Sequence, residues 1–284
     1  MKIILPFVLY FLLLSCSFGQ KMNAYQIYTS NGKKTTYKQL VKTAYQSHII
    51  LFGELHNNAI AHWLELEVLK SISEKKQIAI GAEMFETDNQ LVLNAYLLDS
   101  ITVKELDTTA RLWNNFKTDY LPLIDFAKKK EIPVFATNVP RRYASMVYRK
   151  GFTCLDTLSD KEKAWIATLP IAYDSSLSGY KSMLTMMGGH GGDNLPKAQA
   201  LKDATMAHFI LANHDSSKTF IHYNGSYHSD DYQGILWYLN LQKPEFNYLT
   251  ITTVSQPDIY KLSDEFKRKA DFIIVVDEDM TNTY

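Results

Sequence analysis

The stretch His48-Ile49-Ile50-Leu51-Phe52-Gly53-Glu54-Leu55-His56-Asn57-Asn58 decides the fold when it is taken together with the residues that follow it. A short apolar run that stops at a glycine and polar residues reads as a buried strand of an α/β sheet. Residues 59–75 then carry Ile60, Trp63, Leu64, Val68 and Ile72 on one helical face, with Asn57 and Asn58 both placed to cap the first turn. Strand, polar turn and amphipathic helix together begin a crossover to a parallel neighbour.

The pattern recurs along the chain. Residues 78–84, 133–137, 219–223, 248–253 and 272–276 are strand-like, and residues 120–130 and 196–213 are helical crossovers. A hairpin centred on Asn31-Gly32 precedes them within residues 25–37. Strands alternating with such helices imply an α/β fold with a mostly parallel, doubly wound sheet. Residues 159–195 break the rhythm. They hold Trp165, Tyr173, Tyr180, Met183, Met186, Met187 and the run Gly188-Gly189-His190-Gly191-Gly192. That segment reads as a helical insertion lying over the sheet's carboxyl edge, inside a single domain spanning residues 25–283.

The 284 residues are 46% hydrophobic and 21% charged, ordinary for a globular protein. Equal counts of 30 basic and 30 acidic residues argue against an electrostatic nucleic-acid binder. The first residues have the form of an export signal: Lys2, then an apolar run over 3–14 interrupted by Pro6 and Tyr10, too short to span a bilayer. Two cleavage patterns overlap within residues 1–19. Leu13-Leu14-Ser15-Cys16 has the form of a lipobox, which would lipidate Cys16 and anchor the chain to a membrane. Ser17-Phe18-Gly19 before Gln20 has the form of an ordinary signal-peptidase site, which would release it. Either places the protein outside the cytoplasm, as an outer-membrane lipoprotein or in the periplasm of a bacterium. Of the 2 cysteines only Cys154 lies beyond that segment, so no intrachain disulfide framework exists, and its apolar neighbours make it packing.

Ligand sites in such sheets gather at the carboxyl ends of strands. A second Gly-x-x-His motif, Gly225-Ser226-Tyr227-His228, follows the 219–223 run as Gly53-Glu54-Leu55-His56 follows the first. His62 lies one turn into the next helix, Glu83 ends the second strand, and Asn138-Val139-Pro140-Arg141-Arg142 leaves the third. Carboxylates, imidazoles and a guanidinium pair thus converge on one rim, as a metal, acid/base or anionic-cofactor site requires. The plainer roles stay open at this point: Glu54 and Glu83 as helix caps or as partners of Arg141 or Arg142. No Gly-x-Ser-x-Gly nucleophile elbow is present, which disfavours a covalent hydrolase.

Five separated motifs carry a family resemblance. They are Gly53-Glu54-Leu55-His56-Asn57-Asn58 with His62; Gly81-Ala82-Glu83-Met84-Phe85 with Gln90; Asn138-Val139-Pro140-Arg141-Arg142; Gln199-Ala200-Leu201-Lys202-Asp203-Ala204-Thr205-Met206-Ala207; and Gly225-Ser226-Tyr227-His228. In this order, from Leu51 to Tyr238, the chain resembles the ChaN-type haem-binding lipoproteins. It departs at the last motif, where the family usually has Gly-Asn-Gly-His, and Tyr227 would there narrow the pocket or offer a phenolate. The resemblance implies an exported protein of iron or haem acquisition, with haem held between the α/β sheet rim and the helical insertion, and homodimers that stack two haems. It also implies kinship with the Tiki metalloproteases and erythromycin esterases. That kinship supplies the alternative of a metal-dependent hydrolase, with zinc or manganese at His56, His228 and Glu54 or Glu83.

For haem, iron needs an axial Tyr or His and the propionates need cationic or amide partners. Tyr180 or Tyr173 and His190 are the ligand candidates in the insertion, and Arg141 and Arg142 suit propionates. Helical spacing favours Tyr180, which would share an apolar face with Met183, Leu184 and Met187. His56, His62, Glu83, Tyr227 and His228 would line the rim. A Tyr/Met stripe can equally be core, and His190 a solvated loop residue.

Overall fold

The computed structural model describes residues 23–185 and 192–284. Within them eight strands form one sheet, in the order β2-β1-β8-β7-β3-β6-β4-β5. The edge hairpin is β1 (Tyr25–Thr29) with β2 (Lys34–Thr35), and β1 pairs antiparallel with β8 (Phe272–Asp277). From β8 onward every pairing is parallel: β7 (Tyr248–Gln256), β3 (Ile49–Glu54), β6 (Thr219–Gly225), β4 (Ile78–Glu86) and β5 (Val134–Asn138). The expected doubly wound α/β sheet is present. All six residues of β3 are buried, which is why a parallel central strand reads as an unbroken apolar run.

The helices, in chain order, are α1 (Tyr37–Ala44), α2 (Ala59–Ser73), α3 (Gln90–Leu97), α4 (Val103–Thr109), α5 (Leu121–Lys129), α6 (Arg141–Lys150), α7 (Asp160–Lys163), α8 (Ser178–Met183), α9 (Leu195–Ala212) and α10 (Ile235–Gln242). Alternation along the strands sorts them onto two faces. Ile50, Phe52, Ile80 and Tyr223 pack against α1 to α5, whereas Ile49, Leu51, Ala79 and Phe220 pack against α9 and α10. Asn58 caps α2 by accepting from the Ile60 and Ala61 amides, at 3.1 and 3.0 Å.

This sorting positions the site. The connection after β3 runs through α2 on one face, and that after β6 runs through α10 on the other. β3 and β6 are parallel neighbours, so the two Gly-x-x-His loops diverge from adjacent strand ends and open a crevice between them. At the far edge, Gln90 occupies β5 in place of a further strand. Its amide donates to the Val134 carbonyl at 3.0 Å and accepts from the Ala136 amide at 2.7 Å, blunting an edge that would otherwise pair with another chain.

The insertion is less helical than expected. Among its described residues only the four of α7, the six of α8 and Leu195, which opens α9, are α-helical. Asp174 accepts from the Ser176 amide at 2.8 Å, a local turn that competes with helix, and Pro170 removes a donor. The apolar wall expected on α8 is also shorter. Tyr180 and Met183 are buried, but Leu184 follows the end of the helix and is 39% exposed, and Met187 lies outside the described residues. The segment does sit over the carboxyl edge, where the Gly179 amide donates to Gln233 Oε1 at 2.9 Å in the loop after β6. Cys154 is buried with Val147, Leu155 and Leu158, a packing role as expected.

Candidate functional site

Two buried carboxylate–imidazole groups meet in the crevice. Glu54 closes β3 with its side chain 1% exposed. Its Oε1 accepts from the Tyr120 hydroxyl at 2.8 Å and from His56 Nδ1 at 2.6 Å. Its Oε2 is buried without a hydrogen-bond partner among the described residues, and His62 Nε2 stands 3.6 Å away. His62 Nε2 donates instead to the His56 carbonyl at 3.2 Å, while Nδ1 meets Glu65 Oε2 at 3.0 Å. Burial opposes a charge on His62, but Glu65 and Glu54 outweigh it and hold the imidazole up at about 9. The same contest, settled by Glu54, raises His56 above its ordinary value.

The second group is centred on His228. Its Nε2 lies 3.2 Å from Glu83 Oε1 and its Nδ1 bonds to Asp203. Glu83 Oε2 accepts from the Gly225 amide at 2.8 Å, and Asp203 Oδ2 accepts from the Tyr180 hydroxyl at 2.7 Å. The Gln199 amide lies 2.9 Å from Nδ1. Burial alone would neutralise His228, yet Glu83 and Asp203 on either side push it up to about 9. The converse holds for Glu83: burial raises its carboxyl, and His228 and His56 more than reverse this, holding it well below the carboxylate range. Carboxylates thus face both imidazole nitrogens and favour its charged form.

The glycines of the two motifs explain each other. A Cβ on Gly53 would stand 2.8 Å from Ser226 Cα, inside the second motif. A Cβ on Gly225 would stand 2.7 Å from His56 Cε1, inside the first. Each loop occupies the space the other's glycine leaves open. His56 is thereby laid over Gly225, its edge against Trp113 with ring centroids 4.7 Å apart, its side chain 42% exposed.

The remaining candidates are more dispersed. Neither arginine pairs with Glu54 or Glu83, so that plainer reading of the two glutamates fails. Arg142 bonds Asp88 at 2.6 Å and stacks on Trp165, and Arg141 is exposed at the start of α6. Tyr227 is 37% exposed, with its hydroxyl 2.8 Å from Ser182 Oγ. Tyr173 is half-buried and stacked on Tyr180 at 5.7 Å, and its hydroxyl has no hydrogen bond to a described residue. Tyr180 is the opposite case: buried, bonded to Asp203, and driven far upward by burial, so it stays a phenol. Cys16, Met186 and His190 lie outside the described residues. Among the described residues no three His, Cys, Asp or Glu side chains converge as a metal ion would require, and no helix is long and apolar enough to cross a membrane.

Gln199 and Asp203 come from the fourth quoted motif and fall four apart on one face of α9, whereas Tyr120, Asn115, Asp119 and Glu65 join the site without an obvious local motif; of these only Glu65, three after His62 on α2, leaves a trace in spacing.

The family model for "Haem-binding uptake, Tiki superfamily, ChaN" matches residues 40–239, and the chain belongs to that family. No curated protein matches. Among solved structures, the chain is similar to the ChaN of Campylobacter jejuni, described as showing cofacial haem binding. The two share 16% identity over 89% of this chain and 96% of that one, with a TM-score of 0.67. The type III effector HopBA1 shares 14% identity over 85% and 92%, with a TM-score of 0.50. An erythromycin esterase, EreC, shares 10% over 84% and 78%, with a TM-score of 0.46. At these identities the likeness concerns the fold.

Proposed function

We propose that this protein binds haem at the carboxyl edge, between the two Gly-x-x-His loops and the segment around α8, and serves iron or haem acquisition. The family match over residues 40–239 carries the reading. The residues present suit the group. When bound, haem would supply an iron centre that a phenolate or imidazole of this chain could hold. Tyr173, with a half-buried ring and a hydroxyl held by no described residue, is the better ligand. Tyr180 would first have to give up Asp203, which reverses the order that helical spacing suggests. The exposed Arg141 is free to meet a propionate, whereas Arg142 is already held by Asp88. His56 and Tyr227 present partly exposed rings at the rim, and Glu83 and His228 hold the loop between them in place. A homodimer would bring two such rims together.

Haemin added to the purified protein is expected to bind with a defined stoichiometry and a shifted Soret band. Tyr173→Phe should change the ferric charge-transfer bands. Tyr180→Phe should leave them in place and cost about 1–3 kcal/mol of stability, because Asp203 loses a buried donor. No spectral shift on titration, with stoichiometric zinc or manganese in the purified protein, would favour the metal-dependent hydrolase instead.

Export and anchoring through Cys16 are part of the same proposal, supported by the lipobox pattern at Leu13-Leu14-Ser15-Cys16. Cys16→Ser should then shift the protein from the membrane to the soluble fraction on cell fractionation. A mature N-terminus at Gln20, found by mass spectrometry, would remove the anchor from the reading.

A further inference from the structure

The loop that carries His56 is held by a segment distant in sequence. Beyond β8 the chain turns back over the carboxyl ends of β7 and β3, and Asn282 forms an antiparallel bridge with Asn58. The Thr283 amide donates to the Asn57 carbonyl at 2.9 Å, and its hydroxyl donates to Asp119 Oδ2 at 2.7 Å. Asp119 Oδ2 also accepts from Asn115 Nδ2 at 2.6 Å, and Asn115 donates to the His56 carbonyl at 2.6 Å. Consecutive carbonyls of the loop, His56 and Asn57, are thus gripped by two donors that share one carboxylate. That carboxylate is buried, its side chain 3% exposed, on a π-helical turn spanning Phe116–Tyr120. π-Turns concentrate where a helix is adapted to a site.

We infer that residues 278–284 form a strap, with Thr283 as a positioning residue that fixes the direction of the His56 imidazole. Among the described residues the ring's one side-chain hydrogen bond is from Nδ1 to Glu54; it lies half-exposed over Gly225 with its edge against Trp113, so its direction depends on the backbone that carries it. The strap closes the β7 side of the crevice and leaves the α8 side for a ligand. It also lies beyond residues 40–239, outside the part that defines the family. Its effect on haem affinity rests on the function proposed above; its hold on the loop does not.

The test compares full-length protein with Thr283→Val, Thr283→Ser and a variant lacking residues 281–284. Hydrogen exchange in the absence of ligand reports on the loop. Exchange at residues 55–58 should be at least tenfold faster in the truncation and severalfold faster in Thr283→Val, near full-length values in Thr283→Ser, and unchanged in β3 and β6. Haemin affinity should fall severalfold in the first two variants and recover in Thr283→Ser. Exchange that is unaltered at residues 55–58 overturns the strap; faster exchange with undiminished haemin affinity overturns Thr283 as a positioning residue for the ligand. If full-length protein takes up no haemin, the haem reading fails and the exchange data alone decide the strap.

Discussion

Replacing His228 by alanine is expected to cost about 3–5 kcal/mol, because it strips the shared cation from two buried carboxylates. Glu83 keeps the Gly225 amide and Asp203 keeps the Tyr180 hydroxyl, but neither replaces the charge. The pH dependence identifies the cause. His228 titrates at an ordinary 6.5 when unfolded and at about 9 when folded. Its contribution, about 3 kcal/mol, is therefore complete below pH 6.5 and is lost as pH rises through 9. Glu83 has a depressed folded value, so its contribution is complete above 4.5 and is lost as pH falls. The triad should stabilise most between about pH 4.5 and 6.5. Urea denaturation from pH 6 to 9 should show the full-length protein losing stability steadily. His228→Ala should lose less over that range, keeping the slope due to the other groups held above their ordinary values, His62 and His56 among them. An equal slope in both proteins would mean that His228 is neutral in the fold.

The parts of the structure legible in the sequence are those whose cause is local. The apolar run ending at Gly53 and the 3.6-residue stripe through Trp63, Leu64 and Val68 report burial on a strand and on a helix face, and both elements form where expected. In the insertion the Tyr and Met spacing does mark a helix, α8, where Tyr180 and Met183 are buried, but Pro170 and the Asp174 turn lie in the non-helical stretch between it and α7, so the helices are short. The same limit applies to the site. Glu54, His56, Glu83 and His228 stand beside glycines at strand ends and could be placed from periodicity alone. Asp203 and Asp119 reach the crevice from helical elements 25 residues before His228 and 164 before Thr283. Asp203 stands in a quoted motif, but its bond to His228, like that of Asp119 to Thr283, is a tertiary contact that no spacing rule supplies. The choice between Tyr173 and Tyr180 likewise turned on a hydrogen bond rather than on which face of a helix each occupies.

The interlocked loops lead to the second large effect, which separates two glycines that look equivalent in sequence. Gly53→Ala places a methyl 2.8 Å from Ser226 Cα, just past β6, and 3.1 Å from the Ile251 carbonyl, within β7. Neither can move without parting β3 from β6 or β7, so the cost should exceed the usual ~1–3 kcal/mol of an overpacked core. Gly225→Ala meets the His56 ring first, 2.7 Å away at Cε1, and that ring has solvent to swing into. Its cost should be about 1–3 kcal/mol, chiefly the lost bond between Nδ1 and Glu54. The two variants should therefore diverge: Gly53→Ala lowers the urea midpoint sharply, whereas Gly225→Ala stays folded with a displaced imidazole. Freed from Glu54, His56 would titrate closer to its ordinary value, lower than in the parent protein, which NMR of the ring protons measures directly. If Gly53→Ala proved as mild as Gly225→Ala, the loops could not be packed backbone against side chain in this way. The pair of Gly-x-x-His motifs would then need separate explanations.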